Sequence, residues 1–211
     1  MQILSHRGYW KTAEEKNKQI AFERSFELGF GTETDLRDIC GKIVISHDMP
    51  TGDEITFEEV LQIMDGRNLP LALNIKADGQ ADEILRLLAK YNHTNYFTFD
   101  MSIPDLVVQV KKGVNAFSGI SDINRNAPLF EKVGGIWLDA FYDEWYNEND
   151  ILDLLAQNKK VCIVSSDLHK RDAQKQWEML KKSEIATDKN IGDNIMLCTD
   201  KPEEAKKYFY G

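Results

Sequence analysis

Short apolar runs alternate with segments of helical period along nearly the whole chain, and this alternation limits the fold more than any other feature. The apolar runs are QILS (2–5), GTETDLR (31–37), LPLALNIK (69–76), NYFTFD (95–100), VNAFSG (114–119), GGIWLD (134–139), KVCIVS (160–165) and NIMLCTD (194–200). Each has the length of a buried strand. Helical periodicity occupies 17–29, 56–65, 79–91, 102–113, 149–158, 171–182 and 201–210, with a weaker stretch at 125–133. Thr56 with Glu59, and Ser102 with Asp105, have capping-box spacing, while Gly29 and Gly113 stand where helices should stop. Interleaved strands and helices make βα units. Eight units predict an α/β fold, a compact (β/α)8 TIM barrel, with a doubly wound open sheet as the structural alternative. The 211 residues fall short of the ~250 usual for this barrel, so some helices should be abbreviated or lost. CGKIVISHD (40–48) adds a turn at Gly41 and a short extended run.

The length and a 42% hydrophobic content suit one domain, 1–211, with a single core. The formal charge of -9, with no long basic run, argues against a nucleic-acid or membrane-surface partner. A local basic pocket can still take a small phosphorylated ligand. Met1 leads into QILSHRG without a leader pattern, and no apolar run has the length of a membrane span, so a soluble cytoplasmic protein is expected. Cys40, Cys162 and Cys198 form no CxxC pair and are expected to be buried thiols. The outer helices show no clear apolar patch, and the sequence leaves the oligomeric state open.

In a (β/α)8 barrel, functional side chains gather at the C-terminal ends of the strands. His6 and Arg7 end the first run. Glu33 and Asp35, two apart on the second, point the same way. His47 and Asp48 follow the short extended run, Asn74 and Lys76 end the third βα strand, and Asp100, Asp139 and Ser165–Ser166 end later ones. Paired acids on a strand buried on both faces either hold a hard divalent cation or form structural salt bridges. His6 and His47, converging on the acid pair, suggest acid/base work over a structural role. His93, in a helix-to-strand connection, reads as surface. His169 lies on the functional rim without a clear partner, and Trp137 shares a face with Asp139 as either a mouth or a core residue.

His6-Arg7-Gly8, the pair Ala21–Phe22, Glu33-x-Asp35 and His47-Asp48 together resemble the glycerophosphodiester phosphodiesterase family, with a weaker likeness at LNIK (73–76) and CTDKP (198–202). The resemblance implies a TIM barrel with Glu33 and Asp35 on a divalent metal, Mg²⁺ or Ca²⁺. It also implies His6 and His47 as the acid/base pair and Arg7 and Lys76 on the substrate phosphate. Asn74 departs from the family, whose third metal-binding carboxylate stands there. An amide oxygen still binds a hard cation but brings no charge, so metal affinity should fall or another acid should compensate. Asp139, Asp100 and Asp78 are the candidates, Asp139 the favoured one. The family's larger insertion is short here (50–68), and IVSSDLH (163–169) replaces its Trp-Thr motif. With the rim aromatics Tyr9, Trp10, Phe141, Tyr142 and Trp145, the short insertion suggests a small sugar- or glycerol-linked phosphodiester. Two other outcomes stay open: a lyase or phosphotransferase that stops at a cyclic phosphate, and a non-catalytic phospholigand-binding barrel.

Overall fold

A computed structural model describes the whole chain except residues 184, 187 and 190. The strands are β1 (Gln2–His6), β2 (Gly31–Ile39), β3 (Lys42–Ile45), β4 (Leu71–Ile75), β5 (Tyr96–Phe99), β6 (Phe117–Ile120), β7 (Gly135–Leu138), β8 (Lys160–Val164) and β9 (Ile195–Thr199). The helices are α1 (Gln19–Glu27), α2 (Phe57–Met64), α3 (Ala81–Lys90), α4 (Ile103–Lys111), α5 (Glu148–Ala156), α6 (Gln174–Lys182) and α7 (Pro202–Tyr210). The sheet order is β5-β4-β2-β1-β9-β8-β7-β6, with β3 paired to β2 outside that path. This is the eight-stranded parallel arrangement of the (β/α)8 class that the alternation predicts: β3 aside, the order steps through the chain without the reversal that marks a doubly wound sheet. Among the described residues, no helix is long and apolar enough to cross a membrane.

The chain divides into two compact units. In the unit Ser5–Ala116, β4 lies parallel to β2 with Asp35 opposite Asn74, and parallel to β5 with Leu71 opposite Tyr96. The β5 strand also reaches the segment entering β6, where the Thr98 N–H donates to the Asn115 carbonyl at 3.0 Å. Strand alternation sorts the residues of this unit. Leu36, Leu71, Leu73 and Ile75 pack with Phe22 and Phe26 of α1, Phe57, Val60, Leu61 and Met64 of α2, and Ile84, Leu87 and Leu88 of α3. Each such side chain contributes about 1.5–3 kcal/mol when fully buried. Glu33, Asp35, Ala72 and Asn74 therefore take the opposite face of the same strands.

The expected turn at Gly41 is a two-residue hairpin. Ile39 pairs with Lys42, and Cys40 and Gly41 both take positive φ, 50° and 78°, the twist that lets an antiparallel strand return tightly. The capping box at Thr56 and Glu59 forms as predicted. At α4 only half of one forms: Ser102 Oγ accepts from the Asp105 N–H, but the Asp105 carboxylate turns to Gly79 and Gln109.

The second unit comprises Met1–Leu4 and Phe117–Gly211. Its strands β6, β7, β8 and β9 run parallel in that order. The weak helical signal at 125–133 gives no helix: that connection is turns and bends, tied by Ser118 Oγ to the Pro128 carbonyl and by the Ser121 N–H to the Asn124 carbonyl. The expectation that the short chain would abbreviate or lose some helices named none of them, and here one is missing. Two burial expectations also need correcting. Cys40 is exposed because it sits at the tip of the hairpin, whereas Cys162 and Cys198 are buried as expected. His93 is buried, with Nε2 against the Asn95 carbonyl at 3.1 Å and its pKa lowered by burial.

Candidate active site

The first unit assembles most of the residues singled out in the sequence. The His6-Arg7-Gly8 turn is built from backbone constraints. Arg7 and Gly8 both take positive φ, 60° and 78°, and a Cβ on Gly8 would lie 2.7 Å from Ala21 Cβ, so only glycine lets the turn seat on α1. The Arg7 N–H donates to the Glu33 carbonyl at 2.8 Å and the Gly8 N–H to Thr32 Oγ1 at 2.9 Å. These bonds fix the turn at the end of β1 against β2.

Side by side on β2, Glu33 is 2% and Asp35 0% exposed. Arg7 Nε stands 3.1 Å from Asp35 Oδ2 and Lys76 Nζ 3.4 Å from Asp35 Oδ1. Both are close charge contacts; neither Arg7 Nε nor Asp35 Oδ1 makes an aligned hydrogen bond. Asp35 Oδ2 accepts from Asn17 Nδ2 at 2.9 Å, and Asn17 Oδ1 accepts from Thr34 Oγ1 at 2.9 Å. His6 Nε2 lies 3.9 Å from Glu33 Oε2. Burial, and next the charge of Asp35, pushes the Glu33 carboxyl up from its ordinary value to about 7, against the opposing pull of His6, Arg7 and Lys76.

Three oxygens in this group, Glu33 Oε2, Asp35 Oδ1 and Asn74 Oδ1, are buried without a hydrogen-bond partner. A buried acceptor left unpaired costs about 1–3 kcal/mol. Asn74 Nδ2 donates to Asp100 Oδ2 at 3.3 Å, and since a carboxylate only accepts, that contact fixes which end of the amide carries the free oxygen. An all-oxygen donor set without partners suits a hard divalent cation, and the Lys76 ammonium is the competing charge. Among the described residues, no group of three or more His, Cys, Asp or Glu forms a metal cluster. The third donor here is an amide.

His47 is placed differently from His6. Its side chain is 47% exposed, and Nδ1 lies 3.0 Å from Asp48 Oδ1. Asp78 is taken up elsewhere, accepting from both the N–H and the hydroxyl of Ser102 at the start of α4.

Asp139 belongs to the second unit, where it forms a local pair that the sequence did not reveal. Its Oδ1 lies 2.7 Å from His169 Nε2 and accepts from the Ala140 N–H at 2.7 Å. His169 therefore has a carboxylate partner, and its ring stands 5.0 Å from that of Phe141. Ser166 Oγ donates to Glu144, and Ser165 Oγ accepts from the Trp177 indole. Of the predicted rim aromatics, Phe141 and Tyr142 are exposed, whereas Tyr9 is buried; Trp137 is a core residue.

Two residues of the first unit escaped the sequence reading. Asn17, with φ 58°, carried no local signal beyond its place before α1. Arg37 did carry one, since it continues the alternating face of Glu33 and Asp35.

No protein-family model matches the chain, and no curated protein sequence matches it. Solved structures do. A glycerophosphodiester phosphodiesterase from Agrobacterium tumefaciens superposes with TM-score 0.68 at 15% identity, over 96% of this chain and 97% of that one. A Silicibacter pomeroyi protein assigned as a glycerophosphoryl diester phosphodiesterase gives 0.69 at 11% identity, over 99% and 92%. An Oleispira antarctica phosphodiesterase, solved with the product sn-glycerol-3-phosphate, gives 0.67 at 14% identity, over 100% and 97%. The chain therefore shares, over nearly its full length, the fold of the glycerophosphodiester phosphodiesterase structures it resembles.

Proposed function

We propose that the chain is a phosphoric diester hydrolase of the glycerophosphodiester phosphodiesterase type. One observation carries the proposal: Glu33, Asp35 and Asn74 bury three oxygens without hydrogen-bond partners beside two cations, on the fold of known phosphodiesterases. A phosphodiester suits that mixture. Its anionic oxygens answer Arg7 and Lys76, while a divalent cation, Mg²⁺ or Ca²⁺, would be held by Glu33, Asp35 and Asn74. When bound, that cation supplies a Lewis acid that offsets charge building on the phosphoryl oxygens.

The chain's own groups do the rest. Arg7 and Lys76 orient the phosphate and neutralise its developing charge. One of His6 and His47 removes a proton from the attacking hydroxyl or water, and the other protonates the leaving oxygen, each contributing about 10²- to 10⁴-fold. The substrate is a small glycerol- or sugar-linked diester, and the exposed Cys40 thiol suits a reducing, cytoplasmic setting.

The test is phosphodiesterase activity with Mg²⁺, Ca²⁺ or Mn²⁺ against glycerophosphodiesters and a chromogenic diester, with EDTA and Glu33→Ala as controls. Metal-dependent release lost in both controls supports the proposal. Product analysis then separates hydrolysis from release of a cyclic phosphate. No turnover on any substrate, together with a silent calorimetric metal titration, refutes it.

A further inference from the structure

Arg37 is the third member of the face that carries Glu33 and Asp35, and it makes contacts that neither acid makes. Its Nε and Nη2 donate to the carbonyl of His47 at 3.2 and 3.1 Å, and its Nη1 donates to the carbonyl of Lys76 at 3.2 Å. Nη1 also lies 3.8 Å from Met49 Sδ. One guanidinium thus joins the segment after β3 to the end of β4, through the backbone of the two residues assigned above to proton transfer and phosphate binding.

We propose that Arg37 is the positioning residue that sets His47 and Lys76 for the reaction. The inference rests on the phosphodiesterase proposal for the roles of those two residues. It does not make Arg37 a catalytic residue, because the guanidinium is spent on backbone carbonyls.

The geometry explains why a clamp is needed at this point. Lys76 is anchored by its own N–H to the Leu36 carbonyl at 2.9 Å, a continuation of the parallel ladder, but lies past the last residue of β4. His47 follows the last ladder bond of its own segment, Ser46 N–H to the Asp35 carbonyl at 3.0 Å, and its half-exposed ring touches the exposed Asp48. Ser46 Oγ to the Asp48 carbonyl at 2.9 Å is the local tie there. The next physical link between these two strand exits is Arg37.

Arginine suits the task for two reasons. Its planar fork presents donors in fixed directions, so two of them converge on one carbonyl while a third reaches another. It also carries donors on all three nitrogens and no acceptor, which matches a partner set of backbone carbonyls. A lysine ammonium is a point donor that cannot span both carbonyls with the same geometry.

The experiment compares Arg37→Ala and Arg37→Lys with the wild type in three readouts. These are kcat and KM on the diester that the wild type turns over best, recovery of Arg37→Ala by added guanidinium ion at non-denaturing concentration, and amide hydrogen exchange at 46–49 and 76–78. Displacing a reacting group by about 1 Å costs up to ~10²-fold. Arg37→Ala should therefore lose ~10- to 100-fold in kcat with a raised KM, exchange faster at both segments, and regain part of its activity with guanidinium. Arg37→Lys should recover neither kcat nor protection. If Arg37→Ala fails to fold, Arg37→Lys, which keeps stem and charge, carries the same readouts. Kinetics within twofold of wild type, or unchanged exchange at 46–49, overturns the inference. A wild type inactive on every diester and silent in the calorimetric metal titration refutes the proposed function but not the clamp, and hydrogen exchange then decides whether Arg37 holds the two segments.

Discussion

Replacing Glu33 by glutamine keeps the shape of the side chain and removes its charge, so it isolates what the buried carboxylate costs the metal-free protein. Burial, helped by the Asp35 charge, raises this carboxyl from 4.5 in the unfolded chain to about 7 in the folded one. The folded state therefore holds its proton more tightly. The associated stability is complete below the unfolded value and is lost as pH rises through the folded one. At ~1.4 kcal/mol per tenfold change, an ionised Glu33 at pH 8 costs the fold about 3 kcal/mol. The amide must still be buried, at about 1 kcal/mol. Glu33→Gln should thus be about 2 kcal/mol more stable than wild type at pH 8 in EDTA, a gain of about 4–8 °C in thermal midpoint for a chain of this size. At pH 5, where wild-type Glu33 is protonated, the difference should nearly vanish. Scanning calorimetry of both proteins at pH 5 and 8, with EDTA and then with excess Ca²⁺ or Mg²⁺, makes the comparison. The cation should raise the wild type at pH 8 and leave the variant almost unmoved. A variant less stable than wild type at pH 8 in EDTA, or a wild type that gains on the variant from pH 5 to pH 8, would refute the reasoning.

Three further outcomes follow from the same geometry. His6→Ala and His47→Ala should each lower kcat by ~10²- to 10⁴-fold and remove one limb of a bell-shaped pH–rate profile; a full bell in both variants would dismiss the histidine assignment. Gly8→Ala forces a Cβ to within 2.7 Å of Ala21 Cβ at a φ of 78° and should lose at least ~1–3 kcal/mol in urea denaturation, whereas an unchanged midpoint would mean that the turn relaxes freely. Asn74→Asp supplies the missing charge and should tighten divalent-cation binding ~10-fold by calorimetry, since ligand charge tunes such affinities, while destabilising the metal-free protein. Weaker binding would remove Asn74 from the ligand set.

The features legible in the sequence were those written locally. Strand alternation separated Leu71, Leu73 and Ile75 from Asn74 and separated Leu36 from Glu33 and Asp35, and the structure keeps that division. The turn at Gly41 and the extended run after it were legible from the glycine and the apolar residues that follow, whereas the antiparallel pairing of that run with β2 was not. Long-range partners were not. Asp139 and His169 lie 30 residues apart in the chain, and no periodicity on either side connects them. Asn17 joins Asp35 through a backbone conformation with positive φ, which a single asparagine does not announce. His93 looked exposed because connections usually are, yet its ring nitrogen finds a backbone carbonyl that lets a neutral imidazole be buried.

The antiparallel β3 hairpin sets a boundary between what can change and what cannot. The Ile45 N–H is pinned to the Ile55 carbonyl at 2.8 Å, which makes 46–54 a closed loop hanging from a strand outside the eight-stranded parallel path. Doubling such a loop costs only about 0.6 kcal/mol in closure entropy, and the register of β2 on β4 is untouched. Within that loop Ser46 and His47 are held by Asp35 and Arg37, so the replaceable cassette is 50–54: it can be lengthened, exchanged or grafted to reshape the surroundings of His47, while the acid pair on β2 stays where the parallel sheet has put it.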